Sequence, residues 1–128
     1  MEVNGILAVA LGGAIGSVAR YLFNIEATRQ FGSNFPWGIF GVNIIGSFAI
    51  GILAALFAVR LNASQEFRSF LVTGVLGGFT TFSSFILDIG NMIERKQMAM
   101  AFAYALGSVG IGVLALFLAL WLVRVVYA

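Results

Sequence analysis

The stretch that decides the fold is Gly74–Phe85, GVLGGFTTFSSF. It carries no charge, yet it sets three glycines and four hydroxyl side chains around three phenylalanines. Each glycine inside a helix costs roughly 1 kcal/mol relative to alanine, so Gly74, Gly77 and Gly78 weaken the helix that so apolar a passage calls for. Thr80, Thr81, Ser83 and Ser84 can return hydrogen bonds to backbone groups that an interruption would free. Two readings follow from the residues: a helix broken near Gly77–Thr80, or an unbroken helix with a glycine packing face. A break at membrane depth is tolerated only where protein buries it or where it lines a cavity. Its half-helix ends bind ions, carbonyls holding cations and amides attracting anions.

The surroundings place this stretch in a bilayer. The chain has 128 residues, 61% of them hydrophobic and 9% charged, with a mean hydropathy of +1.04. A soluble domain carries about 25% charged residues, and a small one buries only about two-thirds of its unfolded surface. So apolar a chain is therefore read as an integral membrane protein. No Asp, Glu, Lys or Arg occurs over Val3–Ala19, Gln30–Val59, Ser69–Leu87 or Gln97–Val123. A spanning helix takes about 20 residues, which predicts spans over Asn4–Phe23, Trp37–Val59, Phe67–Ile93 and Met98–Val123. None of these runs has the alternation of a β-barrel strand. The first lacks a basic start and is followed by Arg20 and Tyr21 instead of a cleavage site, so it is read as a span of the mature protein. With no cysteine and no histidine, disulfides, thiol nucleophiles and the commonest metal ligand are excluded. A net charge of +2, scattered along the chain, does not point to a nucleic-acid partner. Residues 1–128 read as a single four-helix transmembrane domain.

Four spans bring both ends of the chain to one face of the membrane. Arg60, Arg68 and Arg124 fall on that face, and Arg20, Arg29, Arg95 and Lys96 on the other. Orientation normally follows an excess of Lys and Arg in cytoplasmic loops, and three against four is almost no excess. The balance predicts insertion in both orientations. Copies inserted oppositely close as an antiparallel two-fold dimer.

Polar residues are few, and each invites more than one reading. Gly12, Gly16 and Arg20 lie four apart, so the glycines form a small-xxx-small packing face, while Arg20 either snorkels to the headgroups or lends a positive field to an anion vestibule. Asn43 either joins two helices, a contact worth about 0.6 kcal/mol, or donates its amide to an anion, or holds a pore-lining side chain in place. Phe79, Phe82 and Phe85 share a face if their segment is helical. They form a packing stripe, or they turn positive ring edges toward an anion held weakly enough to leave again. Ser84 lies between two of them. Asp88, near the end of the span, reads as structural or interfacial. Tyr104 and Ser108 share a face of the fourth span, where a helix–helix hydrogen bond would satisfy the phenol.

These motifs resemble the Fluc (CrcB) fluoride channels: GGAIGSVARY in the first span, PWGIFGVNIIGS in the second and TGVLGGFTTFSSF in the third, with Tyr104 the main match in the fourth. The resemblance implies an all-α integral membrane protein with four transmembrane helices, the third broken, working as an antiparallel dual-topology homodimer. It implies passive fluoride export and fluoride resistance, at the bacterial cytoplasmic membrane, through two oppositely facing pathways. It places Asn43, Phe82, Ser84, Phe85, Tyr104, Ser108 and Arg20 along the fluoride pathway. It also implies a structural sodium ion at the dimer centre, held by the backbone carbonyls of Gly77 and Thr80. The chain departs from the family's usual pattern at Ile86 and Asp88, where a serine and a glutamate are common, and at Ile39 and Gly112, where hydroxyls are expected. The rival reading is a small dual-topology proton-coupled multidrug antiporter. That chemistry needs a deep carboxylate, and Asp88 is the one acid even moderately deep. No nucleophile–base pair points to an enzyme.

Overall fold

Gly32 and Pro36 punctuate the first connection. Helix α1 runs over Val3–Phe31 and ends where Gly32 adopts φ 82°, its N–H donating to Thr28 O at 2.8 Å; such left-handed closures favour glycine. Pro36 then precedes α2, Trp37–Val59, matching the expected second span. The first helix is eight residues longer than its expected end at Phe23. Charges at Arg20, Glu26 and Arg29 mark the edge of the apolar run, but they do not stop a helix. A ring of water-exposed side chains can continue one until a backbone breaker is reached, as Arg29 does by pairing with Glu26 across one turn at 2.5 Å.

The computed structural model of the protein describes residues 3–60 and 62–127. Among the described residues, four helices are long and apolar enough to cross a membrane: Val3–Phe31, Trp37–Val59, Gln65–Glu94 and Met98–Val126. Every one is apolar on its outer surface, where residues such as Leu11, Ile15, Leu106, Leu114 and Phe117 are exposed as lipid-facing side chains are. The protein is therefore a multi-pass membrane protein.

The third span is composite. Ser64 caps its start, the hydroxyl accepting from Phe67 N–H at 3.1 Å, and one turn of α3 follows, Gln65–Arg68. Ser69–Leu76 is π-helical, with Gly77 N–H reaching back to Val72 O. After a short turn α4, Gly77–Phe79, Thr80 is extended at φ −91°, ψ 161°. Helix α5 begins at Ser83 and ends at Glu94; Lys96, at φ 62°, turns the chain into α6, Met98–Val126.

Packing is pairwise, α1 on the third span and α2 on α6. Glycines set the first contact. A Cβ on Gly12 would run into Phe70 O and lie 2.9 Å from Gly74 Cα; one on Gly16 would run into Val75 O and lie 2.9 Å from Phe79 N. Backbone rests directly on backbone, as small-residue faces allow, and Arg20, one turn further on, meets Gly78. On the α2–α6 side a Cβ on Gly51 would lie 2.8 Å from Ala119 Cβ. Tyr104 and Val42 are the largest side chains with no exposure. Tyr104 anchors a buried cluster with Ile39, Phe85, Met92 and Ala101.

Candidate functional site

In an uninterrupted helix the N–H of Thr81 would close onto Gly77 O, and that of Ser84 onto Thr80 O. Neither does. Thr81 N–H donates to Asn43 Oδ1 at 2.8 Å, and Ser84 N–H donates to Thr81 Oγ1 at 3.2 Å. The Gly77 and Thr80 carbonyls thereby lose their helical donors. Two long-range side chains hold the neighbouring groups. Asn43 Nδ2 donates to Thr81 O at 3.0 Å, so one amide grips both polar atoms of Thr81. Arg20 Nε donates to Gly78 O at 3.0 Å, taking the acceptor that Phe82 N–H would otherwise use. Thr80 Oγ1 returns to Leu76 O at 3.0 Å, and its methyl fits against Gly46, where a Cβ would collide with it.

Gly77, Thr80 and Thr81 line a cavity of about 360 Å³ together with Asn43, Ser47 and Ser108. Phe82 and Phe85 form part of the same wall, their ring centroids 6.0 Å apart. The two rings differ sharply in environment, Phe82 being 74% exposed and Phe85 only 7%. Phe79 is not in line with them. It turns to Phe23, centroids 6.2 Å apart, because the extended residue at Thr80 ends the helical phase that would have aligned all three. Ser108 Oγ is buried and, among the described residues, has no hydrogen-bond partner.

Aromatic contacts continue from this cavity toward the α1–α2 connection. Phe85 meets Tyr104 at 5.0 Å, and Tyr104 meets Phe35 at 5.3 Å with the planes at 85°. Such edge-to-face pairs add about 0.5–1.5 kcal/mol each beyond burial. Tyr104 hydroxyl donates to Asp88 Oδ2 at 2.8 Å, so α5 and α6 are tied by the helix–helix hydrogen bond open to this phenol from the start.

The residues singled out in the sequence thus fall into three places. Asn43, Phe82, Phe85 and Ser108 share one cavity with Gly77 and Thr80. Ser84 and Arg20 line a second one with Ser17 and Asn24. Tyr104 lies behind Phe85, fully buried, with its hydroxyl engaged by Asp88. Sequence reasoning missed Asn24 and Phe35. Asn24 is a polar residue one helical turn beyond Arg20, and that spacing was the signal available for it. Phe35, beside Pro36, gave no signal beyond its aromatic ring.

Residues 7–120 match the family described as CrcB-like protein, Camphor Resistance (CrcB). The chain is 56% identical over 119 residues to the fluoride-specific ion channel FluC of Agrobacterium fabrum, covering 93% of this chain and 95% of that one. It is 54% identical over 126 residues to a protein of the same name from Nitrobacter winogradskyi, covering 98% and 100%. A third protein of that name, from Phenylobacterium zucineum, is 49% identical over 127 residues, covering 98% and 100%. With nearly the whole chain aligned at about half identity, and the motifs of three spans inside the matched region, the chain belongs to the CrcB family.

Proposed function

We propose that the chain is a passive, fluoride-selective ion channel that exports fluoride across the bacterial cytoplasmic membrane and so confers fluoride resistance. It is not an enzyme. Its working form is an antiparallel dual-topology homodimer with two oppositely facing pathways. The observation that carries this reading is the cavity beside Phe82. On a membrane-embedded chain, a polar-flecked opening of about 360 Å³ at the Gly77 and Thr80 carbonyls released from helical bonding calls for a second copy to cover it, because irregular backbone is not left facing lipid. The names of the close relatives supply the ion, and the near balance of Lys and Arg between the two faces supports opposite insertion.

Along the pathway, Arg20 supplies positive field, Ser84 and Ser108 supply hydroxyl donors, and Phe82 and Phe85 supply ring edges. Asn43 holds the third-span break in shape and borders the route, and Tyr104 fixes Phe85 from behind. None of these contacts is strong enough to trap an anion, as conduction requires.

A structural sodium ion at the dimer centre fits the chain. Gly77 and Thr80 are the two residues whose carbonyls the rerouted Thr81 and Ser84 amides leave free, and hard oxygen donors suit a hard cation. Two such carbonyls from each copy would hold the ion, whose charge draws the two chains together. Capture of Gly78 O by Arg20 keeps a third carbonyl out of the set.

The test is passive fluoride efflux from liposomes carrying the purified protein, with chloride measured in parallel and no proton gradient. Rapid release of fluoride alone is expected. Release only under an imposed proton gradient would replace the channel by a coupled transporter.

A further inference from the structure

Two cavities lie along the groove between α1, the start of α2 and α5, and they meet at two residues. The outer one, about 250 Å³, is lined by polar side chains that include Thr28, Asn34, Asp88, Asn91, Arg95 and Gln97. The inner one, about 310 Å³, is lined by Ser17, Arg20 and Ser84 among others. Asn24 and Ile39 are the residues common to both. We propose that Asn24 and Ile39 form the neck between a polar outer mouth and the Arg20–Ser84 chamber, and that the apolar half of this neck, Ile39, limits the rate of anion passage. The inference rests on the channel reading.

The two halves of the neck are built differently. Asn24 is seated over Gly38: a Cβ there would collide with the Asn24 side-chain oxygen and lie 2.8 Å from its Cα and Cγ. That seat fixes where the amide stands. Among the described residues the Asn24 side chain makes no hydrogen bond, so its two N–H donors are free for a passing anion. Ile39 is held on its other side by the cluster of Phe85, Met92, Ala101 and Tyr104 and is only 8% exposed. It offers a passing ion no polar atom. A small, strongly hydrated anion crossing this point exchanges water for one amide on one wall and for hydrocarbon on the other. Unmatched loss of hydration is costly, and apolar constrictions between wet compartments slow ions by shedding water.

Threonine and valine have nearly the same shape and differ by the hydroxyl, so they separate hydration from width. The experiment compares fluoride efflux from liposomes for the unmodified chain, Ile39→Thr, Ile39→Val and Asn24→Asp, with melting temperature and elution volume taken on each. Ile39→Thr is expected to raise the efflux rate at least threefold, Ile39→Val to stay within twofold, and Asn24→Asp, which keeps the shape but loses the donors, to lower it at least tenfold. Equal gains in the Thr and Val variants, or no gain with Thr, would overturn the proposal. So would an undiminished rate in Asn24→Asp, which decides the matter even where Ile39→Thr is not recovered folded. An unmodified chain that passes no fluoride would remove the channel reading and this inference with it, an outcome distinct from all the others.

Discussion

Tyr104 and Asp88 join α5 to α6 through one bond, the phenol donating to Oδ2 at 2.8 Å, with no part of Tyr104 exposed. Tyr104→Phe keeps the ring contacts with Phe85 and Phe35 and removes only the donor. The expected loss is about 1–2 kcal/mol, between the average for polar contacts in membranes and that for bonds to charged groups. Asp88→Asn, which retains an acceptor oxygen, is expected to lose less. Thermal unfolding in detergent checks both, and an unchanged midpoint in Tyr104→Phe would show that the bond contributes nothing.

Asn43 replaces two helical hydrogen bonds with one side chain. Asn43→Leu, close in shape, strands the N–H and the carbonyl of Thr81, at about 1–3 kcal/mol for each group left unpaired. A markedly lower midpoint together with lost fluoride flux is expected. Asn43→Asp keeps the acceptor for Thr81 N–H and gives an intermediate midpoint. The order Asn, Asp, Leu in stability is the signature to look for.

Glycines of the first helix are predicted to behave oppositely according to what faces them. Gly16→Ala drives a methyl into Val75 O and pushes α1 off the third span, so little folded protein should be recovered. Gly13 and Gly5 have nothing within 4 Å of an added Cβ, and Gly13→Ala should be neutral or stabilising by up to about 1 kcal/mol. Yield and monodispersity on size exclusion distinguish the two.

Phe82→Ile and Phe85→Ile are expected to suppress fluoride efflux while the elution volume on size exclusion stays unchanged. Their stability effects should differ. Phe82 is largely exposed within one chain and Phe85 is buried against Tyr104, so only Phe85→Ile should lower the midpoint of unfolding appreciably. Full flux in both variants would remove the aromatic rings from the pathway.

Ser108 carries a buried hydroxyl without a partner. Deleting it relieves an unmet group, so Ser108→Ala should leave stability unchanged or improved. A fall in fluoride efflux in that variant, read by an ion-selective electrode, is the expected mark of a hydroxyl kept for the ion.

The membrane class and the number of spans were legible because they depend on quantities that sum along the chain, hydropathy and run length. The second span was legible to the residue, since Pro36 stands at one end and Arg60 at the other. Helix ends set by backbone geometry were less so. Nothing in the run from Asn24 to Gln30 forbids helix, and α1 continues until Gly32. At the site, the motifs marked the passage whose helical hydrogen bonds are rerouted, while the identity of the partners lay out of reach. Asn43 meets a backbone 38 residues away, and Arg20 meets one 58 residues away. Such pairings are properties of packing, which spacing along one helix does not encode. The π-helical stretch before Gly77 was unreadable for the same reason: it arises where glycine faces let two backbones touch.

That stretch has a consequence for chain length. A π turn accommodates one more residue than an α turn closes over, so Ser69–Leu76 stores a residue of slack within the third span. Deleting a single exposed residue there, Thr73 for example, would let the segment rewind as ordinary α-helix. Because the residue removed is the one the wide turn had absorbed, everything beyond it would keep nearly its present facing, with the Gly77 and Thr80 carbonyls still lining their cavity and Gly78 O still within reach of Arg20. The wide turn acts as a buffer, where a change of one residue in length is taken up before it reaches the carbonyls beyond it.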